Sequence, residues 1–219
     1  MLTTGTFVAL VASGLVAVID WAAVLRGNIH IERIAKPAVM ACLILAVLVA
    51  LPGVAAARWL LVVALAASLA GDWLLLTPVR FTAGLVAFLL AHLAYMALFV
   101  LGTLEIAGGL VGVVLAIAVL AGVGRRILAG ARAAGAGPAV GVYLTAICAM
   151  AVAATASGSV LAALGAWLFV TSDAMLGWDR FVALPAATAG AAACRRVMVM
   201  VTYHAAQALL TIAVLRLAV

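Results

Sequence analysis

Apolar residues run along this chain in long blocks, and most polar residues are gathered between them. About 20 apolar residues cross a bilayer as a helix. Eight blocks approach that length: roughly 4–24, 36–52, 59–77, 81–101, 105–123, 138–156, 159–177 and 197–217. They are long and do not alternate, which argues against strand-type spanning. Breakers separate them: Pro52-Gly53, Pro78, Gly108-Gly109, Gly135, Gly137, Pro138 and Pro185. Pro37 is placed where a first-turn proline is tolerated. The stretch 182–196 is apolar but interrupted, and reads as a loop or as an extension of the last helix. The pattern predicts an all-α, polytopic membrane protein of about eight transmembrane helices, forming one integral-membrane domain over 1–219.

Composition agrees. Hydrophobic residues make up 70% of the 219 positions and charged ones 8%, and mean hydropathy is +1.44. Soluble domains carry about 25% charge. The net charge of +6 therefore says little about nucleic acid, and no nucleic-acid partner is expected. Ten basic residues fall in alternate connections: Arg26, Arg33, Lys36, Arg80, Arg125, Arg126, Arg132, Arg180, Arg195 and Arg196. Only Arg58 and Arg216 fall on the other side. Basic connections face the cytoplasm, so both termini are expected to face away from it, in the cell (inner) membrane. No removable signal peptide is expected, since no basic segment precedes the first apolar block. Cys42, Cys148 and Cys194 are scattered and imply no disulfide framework.

Against this background a few polar residues stand inside the spans. A carboxylate at the centre of a membrane helix costs roughly 2.5–3.5 kcal/mol, so it signals function. Asp72 lies five residues from Thr77, about 8 Å from the predicted inner end of the third span. Asp173 holds a matching place on the seventh, and Asp20 on the first. Lys36 opens the second span. His92 and Tyr95 share one face of the fourth, and Tyr203 and Gln207 share one face of the eighth. Nearly all intramembrane polar residues fall in the half predicted to be cytoplasmic, which fits a cavity opening to one side better than a pore. His204, next to Tyr203, points about 100° away. Each residue also has a plainer reading. The aspartates suit interfacial ion pairs, the histidines suit hydrogen bonds to carbonyls, and the tyrosines suit the aromatic belt. No nucleophile-elbow, P-loop or dinucleotide motif is present. The histidines lie far apart in sequence, and no metal or other cofactor is expected. Asp72 and Asp173, each followed within eight residues by Arg-Phe, echo one another across four spans and suggest a parallel 4+4 repeat.

Five motifs in order carry a resemblance. They are Lys36-Pro37, Gly71-Asp72, Phe88-x3-His92-x2-Tyr95, Gly165-Ala166-x2-Phe169-x2-Ser172-Asp173 and Thr202-Tyr203-x3-Gln207. Together they resemble the YhhN-like lysoplasmalogenase family of eight-span membrane proteins, over nearly the whole chain. His204 departs from the pattern, since the family often has a second tyrosine there. The resemblance implies a hydrolase that cleaves the vinyl ether bond of lysoplasmalogens to a fatty aldehyde and a glycerophospho-alcohol. Its partners would be the lysolipid, water and membrane lipids.

The residues fit that chemistry. A vinyl ether hydrolyses by protonation at its β-carbon, giving an oxocarbenium ion to which water adds. Two carboxyl groups in different environments divide such tasks in glycosidases. Asp72 and Asp173 are therefore the expected catalytic pair, with neither role assigned. Tyr203 and Gln207 would position water or the ether oxygen. Lys36 and Arg180 would hold the headgroup phosphate, and His92 and Tyr95 would complete the substrate site. The alternatives are a proton-coupled transporter or flippase of a small amphiphile, and a non-catalytic lipid-binding protein. Intramembrane aspartates and histidines serve proton-coupled carriers too.

Overall fold

The computed structural model describes residues 3–50, 55–183 and 188–217. Pro52, Gly53 and Pro185 lie outside them. Among the described residues nine α-helices follow one another: α1 (Thr4–Leu25), α2 (Ile29–Leu48), α3 (Ala55–Leu75), α4 (Phe81–Val100), α5 (Ile106–Val119), α6 (Arg125–Ala133), α7 (Gly137–Ala156), α8 (Val160–Phe181) and α9 (Ala189–Leu217). A π-helical turn over Leu120–Gly124 joins α5 to α6, so these form one rod. Among the described residues there is no strand.

Helix starts are fixed by side chains that accept the otherwise unpaired first N–H groups. Thr3 accepts from the Thr6 N–H at 3.0 Å, and Asn28 from that of Ile31 at 3.2 Å. Thr188 accepts from the Ala191 N–H at 3.1 Å. Gly27 follows α1 at φ +65°, a left-handed backbone that glycine adopts without strain and that stops a helix.

Among the described residues seven rods have the length and apolar character to cross a membrane, and the protein is a multi-pass membrane protein. The remaining helix, α2, is 20 residues long but carries Glu32, Arg33 and Lys36. Here the structure differs from the sequence pattern. The helix begins at Ile29, so Pro37 stands inside it rather than in its first turn. Its charged first turns are helical because two of those charges find partners on other helices, as shown below. Residues 189–196 likewise extend α9 rather than forming a loop.

The broadest contacts are within the pairs α1–α2, α3–α4 and α8–α9, and α9 also meets α1, α2 and α3. Small residues allow close crossings. A Cβ on Gly108 of α5 would stand 2.5 Å from the Thr155 carbonyl oxygen on α7. The buried centre includes Met40, Leu43, Leu61, Tyr95, Phe99 and Phe169. Outward faces such as Leu110 and Val114 of α5 remain apolar and exposed, as lipid-facing surfaces do. The packing does not establish a 4+4 repeat. The α4–α7 contact is broad, whereas the pair that would correspond to it, α9 and α2, touches only slightly.

Candidate functional site

Near the C-terminal end of α3, Gly71 leaves room for a ring. A Cβ there would meet Phe88 at 2.6 Å. Asp72 follows, 1% exposed. Its two oxygens have different neighbours. The Lys36 Nζ of α2 stands 3.5 Å from Oδ1. The Tyr203 hydroxyl of α9 donates to Oδ2 at 2.8 Å.

Asp173 sits toward the same end of α8. The Tyr143 hydroxyl of α7 donates to its Oδ2. His92 Nε2 of α4 lies 3.4 Å from that oxygen and 3.0 Å from the Tyr143 hydroxyl. His92 is buried, and its Nδ1 has no hydrogen-bond partner. Phe169 packs edge-on against both His92 and Tyr203, with centroids 4.7 and 5.4 Å away, and so links the partner of one aspartate to the partner of the other.

Both aspartates border one cavity of about 250 Å³, together with Glu32, Lys36, Arg196 and Tyr203. Arg196 donates from one nitrogen, Nη2, to both Glu32 carboxylate oxygens, at 2.6 and 2.8 Å, a charge-assisted contact. That pair ties α9 to the first turn of α2. The walls thus carry acids and bases together, with Phe88 and Leu75 among the apolar residues that line them.

Of the residues singled out in the sequence, Lys36, Asp72, Asp173 and Tyr203 meet at this cavity. His92 reaches it through Asp173. Tyr95 and Gln207 lie behind Tyr203: the Tyr95 hydroxyl donates to Gln207 Oε1 at 2.6 Å, and Gln207 donates to Ser68 at 2.8 Å. They hold Tyr203's helix in register instead of lining the space. Arg180 does not border the cavity. It lies over the Phe81 ring, 5.0 Å from its centroid. Arg180 shares a helix face with Asp173 but stands about 10 Å further along the axis, and the ring offers it a cation–π contact there. Arg196 is the arginine at the cavity.

Sequence reasoning treated Arg196 only as a topological charge and passed over Tyr143 and Glu32. Tyr143 carries a usable signal, since it lies near the start of its predicted span, as Tyr203 does. His204 turns away, as its position next to Tyr203 predicts; its Nδ1 accepts from Trp21 Nε1 at 3.0 Å. Ser172 donates to the Val199 carbonyl at 3.0 Å. Asp20 is fully buried, and neither of its oxygens has a hydrogen-bond partner. The charged groups acting on it are Lys36, Glu32, Asp72 and Arg196. Among the described residues no three His, Cys, Asp or Glu side chains converge as metal ligands.

Fold and composition define a polytopic α-helical membrane protein. The YhhN family model matches residues 31–214, from the start of α2 nearly to the end of α9, and the chain belongs to the YhhN family. No match is found among curated proteins or among solved structures.

Proposed function

We propose that this protein is a membrane hydrolase that cleaves the vinyl ether bond of lysoplasmalogen-type lysolipids. Family membership is compatible with that reading. The observation that carries it is the meeting of Asp72 and Asp173 at one cavity with unlike partners.

The geometry supports a division of labour. Asp72, ion-paired with Lys36 and bonded to Tyr203, serves as the fixed anion facing the developing cation. Asp173 uses Oδ2 for Tyr143 and His92, which leaves Oδ1 to carry the proton. That proton passes to the β-carbon of the vinyl ether, and the positive charge moves to the α-carbon and ether oxygen. Water adds to the α-carbon and returns a proton to Asp173. The hemiacetal then collapses to a fatty aldehyde and a glycerophospho-alcohol. No atom is supplied beyond lysolipid and water. Lys36 and Arg196 provide cationic contacts for the headgroup phosphate.

The distribution of basic residues supports a single integral-membrane domain in the cell (inner) membrane, with both termini away from the cytoplasm and the cavity on the cytoplasmic side. One observation favours a second reading. Buried, unpartnered Asp20 suits a proton-coupled carrier of a small amphiphile. Aldehyde release from lysoplasmalogen by detergent-solubilised protein separates the two, because a carrier releases none. Near wild-type turnover in both Asp72→Asn and Asp173→Asn would show the carboxylate mechanism to be wrong.

A further inference from the structure

A second cavity, of about 540 Å³, opens between α5, α8 and α9. Its walls are almost wholly apolar, with Val119, Val123, Met175, Trp178 and Met198 among them. The wall from this rod includes Val123 of the π-helical turn, a departure from regular helix that is frequent at functional sites. The two methionines are flexible and adapt to irregular apolar partners.

This groove stands back to back with the polar cavity. On α8, Asp173 and Leu176 face the polar side, while Ala174 and Met175 face the groove. On α9, Arg196 and Val199 face one side, and Arg195 and Met198 the other. Asp179 borders both spaces, and its ion pair with Arg195, at 3.1 Å, stands where they adjoin.

Size separates their contents. Small-molecule sites usually measure about 300–1,000 Å³. The polar cavity, at about 250 Å³, seats a headgroup and the scissile bond but not a long hydrocarbon chain as well. The groove falls within that range and has the right chemistry for the remainder. We infer that the α5–α8–α9 groove seats the hydrocarbon chain of the substrate lysolipid, and that the Asp179–Arg195 pair marks the passage between chain and headgroup. This rests on the lysolipid reading of the polar cavity.

The test uses the full chain in bilayer nanodiscs and a lysophosphatidylethanolamine whose chain ends in a photo-activated diazirine. Adducts mapped by mass spectrometry are expected at Val119–Val123, Met175, Trp178 and Met198. Ala174→Trp fills the groove, and should cut labelling by the long-chain probe about tenfold, equal to about 1.4 kcal/mol, while a short-chain analogue labels as before. Met198→Trp is a second blocking variant should the first not fold. Adducts spread over outward residues such as Leu110 and Val114 would overturn the inference, as would equal competition by a two-chain phosphatidylethanolamine. Turnover is read separately. Groove labelling without aldehyde release sinks the hydrolase and leaves the groove; aldehyde release with labelling elsewhere sinks the groove alone.

Discussion

Asp72 accepts a hydrogen bond from a tyrosine of α9, and Asp173 accepts one from a tyrosine of α7. Beyond that the two groups diverge. Beside Asp72 stands the ammonium of Lys36; beside Asp173 stands the imidazole of His92. Lysine brings a compact, full charge, whereas the imidazole offers one ring nitrogen, Nε2, to both the Tyr143 hydroxyl and the carboxylate. The Asp72 side chain is 1% exposed and that of Asp173 is 13% exposed, so the second is the one a substrate reaches more easily. A covered anion beside an ammonium and a more open carboxyl beside an imidazole suit different steps of one reaction.

The strongest way to break this comparison is to neutralise the open carboxyl. Asp173→Asn should lower aldehyde release by ~10²–10⁴-fold, the range for a lost general acid, while lysolipid still binds in a calorimetric titration. Retained turnover would reverse or remove its role. Next comes the charge beside Asp72. Lys36→Met leaves a buried carboxylate without a counter-charge and should destabilise the protein by ~3–5 kcal/mol. Adding Asp72→Leu should restore most of that in thermal unfolding. His92→Gln, beside the more open aspartate, should cost less, ~1–3 kcal/mol; equal losses would erase the distinction drawn here. Tyr143→Phe and Tyr203→Phe each remove one bond to a carboxylate, worth ~1.5–3 kcal/mol, and the Tyr203 change should be the larger because Asp72 is more deeply covered. Smallest of all, Arg180→Ala should stay within ~0.5 kcal/mol and leave KM unchanged, whereas Arg196→Ala should raise KM. A raised KM for Arg180→Ala would return it to the substrate site.

The spans were legible because each long apolar block carries its own signal. The start of α2 was not, because Glu32, Arg33 and Lys36 make it look like a connection. What makes it helical is the grip of Arg196, 164 residues away, and the pairing of Lys36 with Asp72. The two aspartates stood out because a charge in an apolar block is expensive. Their partners did not stand out. Nothing local links Tyr143 to Asp173 or Tyr203 to Asp72; helix packing brings them together. The sequence offers Arg180 as a headgroup contact at the inner interface; helix packing sets it over the Phe81 ring, away from the residues that line the cavity.

The pairing of the carboxylates also has an order in time. A chain emerges from its N-terminus at about 5–20 residues per second, so Lys36 leaves the ribosome roughly 2–7 s before Asp72. His92 and Tyr143 likewise precede Asp173. Each costly carboxylate therefore enters a bilayer where a partner already waits, and Tyr203 alone arrives afterwards. Asp20 is the exception, since Glu32, Lys36, Asp72 and Arg196 all follow it. The sequence of helix insertion is, for Asp72 and Asp173, a schedule in which a partner group is made first.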